Sequence, residues 1–331
     1  MPVLRAMNLS PNECSYIHRG RNRDLSKYFL PQCCADYTYD YRGIKRFRIL
    51  NSILGLIKAL IFSLEVDNHK YYLLEGGMFI WIGIFLKLFN PRSQIIMNIA
   101  DPTLAVYRTT LISRFKRFVK LKLISRFSMI VTNSPIIEDE VKSIFPTKRI
   151  YRYYLPLFEE EIKKFSDCKR EFKKNILFLI TRPKETGLTK GLDIFYEMVK
   201  HPDLAGFNFI VGGAGTELLD LSGHKNVQVH GHIYDVSEAF KLADILVVPS
   251  FYDAYPSVSI ECFAFGVLPI VSAGSGSWAD LKKISDLLVV DDTHNIHEWT
   301  TKIKSITALD HSTYCKILNL GVGFINQKFR Y

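Results

Sequence analysis

This chain lacks an apolar run long enough to cross a membrane as a helix. The longest, Met78 to Leu86, is about half a span, even if extended to Phe89 across Lys87. Met1 to Ser10 has no long apolar core of the kind a secretory signal carries. Six cysteines, at 14, 33, 34, 168, 262 and 315, show no metal-ligand spacing, and the adjacent pair Cys33 and Cys34 suits neither a zinc site nor a common disulfide. Reduced thiols in a soluble cytoplasmic protein are therefore expected. There is no internal repeat and no low-complexity tract. The glycine fingerprint GxGxxG is also missing: the glycine cluster Gly212, Gly213 and Gly215 reads GGAG, and a glycine turn after a strand has an ordinary structural role.

What is present fits two globular domains. A chain of 331 residues is long enough for two cores, and 48% hydrophobic with 23% charged residues is an ordinary composition. The net charge of +10 is unevenly placed. Residues 1–160 hold 24 Lys and Arg against 13 Asp and Glu, while residues 161–331 hold 19 against 20. All the positive excess lies in the N-terminal half, which points to an anionic surface or polymer as its partner.

The C-terminal half alternates short apolar runs with helical stretches. The runs are 175–180, 207–213, 226–231, 244–250, 268–273 and 287–291, with helical patterns at 191–200 and 236–242 among the gaps. Alternation of this kind predicts a parallel sheet with helices on both faces. In the N-terminal half, 2–10, 70–77, 93–101 and 127–134 read as strands, and 43–64, 78–89 and 109–126 as helices. The expectation is an α/β protein of two doubly wound domains, with the chain crossing between them around residues 151–163.

Asp253 and Glu261 frame the stretch DAYPSVSIE, between the apolar strand ending at Ser250 and a helix that begins near Ser257 and ends at Gly266. One carboxylate sits on the loop above the sheet edge and the other one turn inside the helix. Between them, amides at Ser257, Val258 and Ser259 are placed to meet an anion, with roughly half a positive charge from the helix start. Arg182, after the first strand of this half, and Lys190, before Gly191, suit a pyrophosphate: one is a planar fork of donors, the other a compact point charge. Glu261 can accept two hydrogen bonds from vicinal ribose hydroxyls. The blander readings are surface charge for the basic pair, and a helix-start acid with a solvated loop acid for the carboxylates. His230 and His232 alternate at a strand end with no third ligand nearby, which makes zinc a poor fit. Backbone contacts from that loop to a base suit it better.

Taken in order, Arg182, Lys190-Gly191, FIVGGAG, HGHIYD, ADILVVPS and DAYPSVSIECFAFGVLPIVSAGSG resemble glycosyltransferase family 4, retaining enzymes of the GT-B fold. The resemblance covers about 175–292, and the N-terminal half matches in outline. It implies two Rossmann-like domains facing across a cleft: 1–155 on the acceptor side, 156–310 binding the nucleotide sugar, and 311–331 packing back on the N-terminal domain. It implies a diphosphate-binding role for Arg182 and Lys190, a ribose contact for Glu261, and a sugar-facing role for Asp253 and Asp101. Gly213, Ile233 and Ser257 to Ser259 fall in donor-binding segments, with Ile233 in the loop that frames the base. Asp253 stands where the family has Glu, one bond or ~1.5 Å shorter. The segment 8–15, NLSPNECS, lacks the glycines that often follow the family's first strand.

The implied reaction is retaining, hexosyltransferase-type transfer from a UDP- or GDP-linked sugar to a hydroxyl acceptor on a lipid-linked or cell-surface glycan precursor, as in polysaccharide biosynthesis. No metal or other cofactor is expected. No side chain stands out as a covalent nucleophile, so a front-face route is preferred. From Arg108 to Arg126 there are seven Lys and Arg and no acid, interleaved with apolar residues at helical spacing. That pattern suits an interfacial helix on an anionic membrane, hence a peripheral location on its inner face, or an ordinary core helix with a solvated basic face. The alternatives are a sugar-nucleotide binder with impaired catalysis and a basic nucleic-acid-binding protein. No RNA- or DNA-binding signature supports the latter.

Overall fold

The computed structural model describes residues 14–18, 35–38, 48–66, 68–75, 79–99, 111–154, 174–221 and 223–329. They form two compact units that divide between Tyr154 and Leu155.

The N-terminal unit holds β1 (Cys14–His18), β2 (Ala35–Thr38), β3 (Tyr71–Glu75), β4 (Gln94–Ile99), β5 (Met129–Thr132) and β6 (Arg149–Arg152). They lie in the order β2-β1-β3-β4-β5-β6 with every pairing parallel. Its helices are α1 (Arg48–Glu65), α2 (Ile80–Phe89), α3 (Leu111–Ile124) and α4 (Pro135–Ile144). β3, β4 and β5 are legible in the sequence because a parallel strand is covered on both faces and reads as a continuous apolar run. Tyr72, Leu74, Ile95, Ile96, Met97, Ile130 and Val131 are all fully buried. β1, β2 and β6 carry no such run. β6, RIYR, is an edge strand with an exposed Arg at each end. The strand read at 2–10 lies outside the described residues. α4 has its own start signal, Ser134 as N-cap accepting from Ile137 N–H, then Pro135 and, in the first turn, Glu138.

The C-terminal unit holds β7 (Asn175–Leu179), α5 (Pro183–Lys190), α6 (Leu192–Lys200), β8 (Asn208–Gly212), β9 (Val227–Gly231), α7 (Val236–Leu242) and β10 (Ile245–Val248). α8 (Val258–Glu261), β11 (Leu268–Ser272), α9 (Trp278–Ile284), β12 (Val289–Val290), α10 (Ile296–Thr307) and α11 (His311–Lys328) follow. All six runs read as strands are strands. Their order is β12-β11-β10-β7-β8-β9, all parallel. The chain builds outward from β7 to β9, then returns beside β7 to build the other way. Between β7 and β10 this leaves a switch point, where the crossovers on either side diverge and open a crevice.

α11 packs within the C-terminal unit, against α9 and the 3₁₀ turn Cys262–Phe265. Its apolar positions Tyr314, Ile317, Leu318, Gly321 and Ile325 are buried at helical spacing. Tyr314 OH donates to Gly266 O at 2.6 Å. Cys262 is free and buried, and burial pushes its thiol well above the ordinary range. Cys315 is disulfide-bonded, which departs from the expectation of reduced thiols throughout. Among the described residues no helix is long and apolar enough to cross a membrane.

Candidate functional site

At the carboxyl edge of the C-terminal sheet, the loops are tied to one another by backbone hydrogen bonds. Gly213 N donates to Gly231 O at 2.7 Å, and Arg182 N to Ala214 O at 2.7 Å. Gly213 has φ +125°, and a Cβ there would stand 2.0 Å from Ile180 O, so only glycine lets β8 end this close to β7. The end of α5 is pressed in the same way onto the end of β10. Gly191, at φ +70°, would put a Cβ 1.9 Å from Pro249 O. Phe251 N and Tyr252 N both donate to Thr189 O, at 2.8 and 3.3 Å. On its other side the 251–253 segment is held by the loop after β11: Asp253 N donates to Gly274 O at 2.9 Å, and Gly276 N to Asp253 O at 2.8 Å.

These ties bring Lys190 and Asp253 together, although they lie far apart in sequence. Lys190 Nζ donates to Asp253 Oδ2 in a close ion pair, with the Asp253 side chain 15% exposed and Lys190 35%. The pair lines a cavity of about 350 Å³ at the switch point. Gly213, Ile233, Ser257 and Val258 line it too, above an apolar floor from β7 and β10. Its size is that of a small-molecule site, and its makeup, mostly apolar with a few convergent polar groups, is the usual one. The ammonium can meet an anion, the carboxylate can accept from hydroxyls, and the amides of Ser257 and Val258 have no protein partner among the described residues.

Six of the residues singled out in the sequence thus converge: Lys190, Asp253, Gly213, Ile233, Ser257 and Val258. Three others lie apart from the cavity lining. Arg182 is exposed, with Nη1 3.1 Å from Glu185 Oε2, and its backbone is left-handed at φ +52°. Such a conformation costs a non-glycine residue about 1–3 kcal/mol, and here the bond to Ala214 O holds it. Glu261 ends α8, half-buried, with its charge close enough to Cys262 to help raise that thiol. Ser259 is fully buried; its amide donates to Pro256 O at 3.0 Å, its hydroxyl donates to Pro256 O at 2.7 Å, and its Oγ lies 2.8 Å from the Ser277 hydroxyl, from which it can accept. This corrects the reading of three free amides. α8 is a single α turn that tightens into 3₁₀ geometry, so it lends less positive charge than a longer helix would. Asp101 lies outside the described residues.

Sequence reasoning passed over two groups. One is the set of buried hydroxyls beneath the site: Ser272 donates to Ser250 O at 2.5 Å, and Ser259, Ser277 and Ser275 are linked at 2.8 and 3.1 Å. The small-residue stretch SAGSGS was its signal. The other is the carboxyl edge of the N-terminal sheet, where Thr132, Asn133 and Ser134 are buried at the end of β5. Thr132 Oγ1 and Asn133 Oδ1 have no hydrogen-bond partner there. Nearby in the sheet, Asn98 Oδ1 accepts from Tyr153 OH at 3.1 Å. The polar TNS tail on an otherwise apolar strand could have marked it. No group of three or more His, Cys, Asp or Glu is placed to hold a metal among the described residues. His232 packs edge-on against Tyr234, 4.3 Å between centroids.

The fold of the two Rossmann-like units is similar to the GT-B fold of solved glycosyltransferases. More particularly, residues 174–308, most of the C-terminal unit, match the family model Glycosyl transferases group 1. The fold is similar to that of an alpha,alpha-trehalose-phosphate synthase (UDP-forming) from Burkholderia vietnamiensis, with TM-score 0.69 at 10% identity over 96% of this chain and 94% of that one. Sucrose-phosphate synthase from Thermosynechococcus elongatus gives 0.67 at 15% identity over 99% and 87%. Anabaena HepE, solved in complex with UDP and glucose, gives 0.65 at 13% identity over 96% and 95%. Among curated proteins no sequence matches this chain.

Proposed function

We propose that this chain is a retaining, hexosyltransferase-type glycosyltransferase. It would move a sugar from a UDP- or GDP-linked donor to a hydroxyl acceptor on a lipid-linked or cell-surface glycan precursor. The observation that carries the reading is the Lys190–Asp253 pair lining a cavity at the switch point. The group 1 match and the UDP and glucose in the HepE complex support it.

Lys190 has three N–H donors, of which Asp253 takes one. The others serve the diphosphate, whose charge grows as it leaves. A fixed cation held by its partner stabilises that charge with little reorganisation. Arg182 supplies the second cation, since its exposed pair with Glu185 is worth about 0–1 kcal/mol and gives way easily. The amides of Ser257 and Val258 complete the phosphate contacts, and Gly213, whose N–H is taken by Gly231 O, leaves room for the donor beside them. Ile233 frames the base, and Glu261 accepts from the ribose hydroxyls. Asp253 accepts from a sugar hydroxyl, and the family resemblance implies a sugar-facing role for Asp101 as well. The acceptor oxygen bonds to the anomeric carbon on the face the phosphate leaves, and its proton passes to a phosphate oxygen. Buried Thr132 Oγ1 and Asn133 Oδ1, side-chain atoms without a hydrogen-bond partner, support an acceptor-side role for residues 1–155.

Thermal shift with UDP, GDP and ADP, followed by hydrolysis and transfer assays with the matching sugar donors, tests this. One diphosphate should stabilise the protein, by about 2.7 kcal/mol at a hundredfold excess over Kd. If none does, the donor site is wrong. If one does but neither hydrolysis nor transfer occurs, the chain is a binder that has lost catalysis.

A further inference from the structure

We propose that the outer face of α1, α2 and α3 is a docking surface for an anionic phospholipid bilayer. This goes beyond the donor reading and does not depend on it.

The strand order moves in one direction from β2 through β3 and β4 to β5, so right-handed crossovers put α1, α2 and α3 on the same face of the N-terminal sheet. α1 packs on α2, and α2 on α3. Their inward residues are what a covered sheet needs: Ala59, Ser63 and Val66 on α1 and just past its end, Ile80, Ile82 and Leu86 on α2, and Ile124 on α3 are buried. The outward residues break the usual pattern. Ile57, Leu60, Ile61 and Leu64 recur at i, i+3, i+4 and i+7, the spacing of a core stripe, yet they face solvent, with Leu64 64% exposed. Trp81, Leu88 and Phe89 add to them from α2. Phe115 and Phe118, 67% and 64% exposed, add to them from α3. Nine of the fifteen exposed large apolar side chains among the described residues stand on these three helices. Such a concentration marks an interaction surface, whereas singly scattered ones mark nothing.

Charge decides the occupant. Residues 48–65, 80–89 and 111–126 carry nine Lys and Arg and a single acid, Glu65. Lys58, Arg114, Lys122 and Arg126 are exposed. A second copy of the chain seated face to face would set cations opposite cations. A nucleic acid would neutralise the cations but give the aliphatic stripe of α1 nothing apolar to enter. An anionic bilayer satisfies both, with headgroup phosphates for Lys and Arg and acyl chains for Ile, Leu, Trp and Phe.

Trp81 is a built-in reporter, because Trp299 is fully buried in the other unit and Trp278 is bonded there to Val290 O at 3.2 Å. The full chain is titrated with vesicles of phosphatidylcholine alone, and of phosphatidylcholine with about a third phosphatidylserine. Binding should be about tenfold tighter or more to the anionic vesicles at low salt and fade near 0.5 M salt. Tryptophan emission should shift blue on binding, and Trp81→Phe should abolish that shift. Phe115→Ser with Phe118→Ser, on side chains too exposed to hold the fold, should weaken vesicle binding about tenfold and leave the diphosphate thermal shift unchanged. The proposal is overturned by equal or absent binding to both vesicles, or by vesicle binding that the Phe substitutions leave intact. It is also overturned by salt-sensitive RNA binding without vesicle binding, or by a concentration-dependent dimer that those substitutions abolish.

Discussion

The two units carry six described parallel strands each, yet their unusual residues stand in different places. In the C-terminal unit they crowd the carboxyl edge of the sheet: four glycines with positive φ (Gly191, Gly213, Gly215 and Gly231), a left-handed Arg182, and a largely buried ion pair. In the N-terminal unit the described edge is quieter, and the departure from ordinary patterning is on the outside of the helices. A doubly wound sheet makes a crevice wherever its strand order reverses. What turns the crevice into a site is how closely the loops are tied at its mouth. In the C-terminal unit the loop at 251–253 is bonded on one side to the end of α5 and on the other to the loop after β11, so Lys190 and Asp253 have little freedom to part.

The strongest way to break this contrast is to loosen that tie. Gly191→Ala forces a Cβ into Pro249 O from a left-handed backbone. A loss of about 3 kcal/mol or more is expected, a fall of roughly 6–12 °C in the Tm of the C-terminal unit. Calorimetry should show the N-terminal transition unmoved. A wild-type profile would mean that the α5–β10 contact does not hold the edge together.

Next come the two cations, which the structure treats unequally. Lys190→Ala should lower the transfer kcat by about 10²–10³ and weaken diphosphate binding. It should also cost about 1–3 kcal/mol of stability, since Asp253 is left largely buried without its partner. Arg182→Ala should slow transfer less, about tenfold, with no change in Tm, because its pair with Glu185 is exposed. Steady-state kinetics and thermal unfolding of both variants separate the two. Equal effects on Tm would show that Arg182 is structural. Unchanged transfer rates in both would remove the diphosphate assignment.

Smaller again is the support beneath the site. Ser277→Ala removes the hydroxyl that links Ser259 to Ser275 in a fully buried position. About 1 kcal/mol should be lost in denaturant unfolding, with a raised KM for the donor and little change in kcat. A Tm within error of wild type would show the chain of hydroxyls to be incidental.

How much of this was legible in the sequence follows from what each feature is made of. Five strands of the C-terminal unit, β7, β8, β10, β11 and β12, were readable because burial demands continuous apolar runs, whereas the edge strand β9, VQVHG, is largely exposed. In the N-terminal unit only three described strands met that condition, and short mixed strands such as RIYR did not. The side chains of the site were also legible as types: Lys190, Asp253, Gly213 and Ile233 stood out before any geometry. Their pairing was not, because Lys190 meets Asp253 through bonds made by the carbonyls of Thr189 and Gly274, and backbone acceptors leave no mark on sequence. Nor was the burial of Ser259, whose amide and hydroxyl both turn to Pro256 O. Residue 101 and the rest of the 100–110 segment lie outside the described residues, so Asp101 stays a proposal.

The finest test of the contrast is the pH dependence of each unit. Asp286 and Asp310, both in the C-terminal unit, have carboxyls held below the usual range, Asp286 by the hydrogen bond and charge of Lys302, Asp310 by hydrogen bonds from the Thr313 hydroxyl and amide. A carboxylate with a depressed folded pKa contributes stability that is fully present above its unfolded value, about 3.9, and lost as pH falls through the lower folded value. In the N-terminal unit, Lys120 and Lys148 are lowered by burial. Their folded state prefers the neutral amine, so the unfolded chain binds more protons below about pH 10.4, and that unit should gain stability as pH climbs toward that value. These carboxyls act on the acid limb of the C-terminal transition, and these buried amines on the alkaline limb of the N-terminal one. Asp310→Asn keeps an N-cap acceptor for Thr313 N–H while removing the charge, so it should flatten part of the acid limb of the C-terminal transition and leave the alkaline limb of the N-terminal one alone. Lys120→Met should do the reverse. A single transition moving as one body across the whole range would mean that the units do not unfold independently, and the comparison between them would then hold for structure but not for stability.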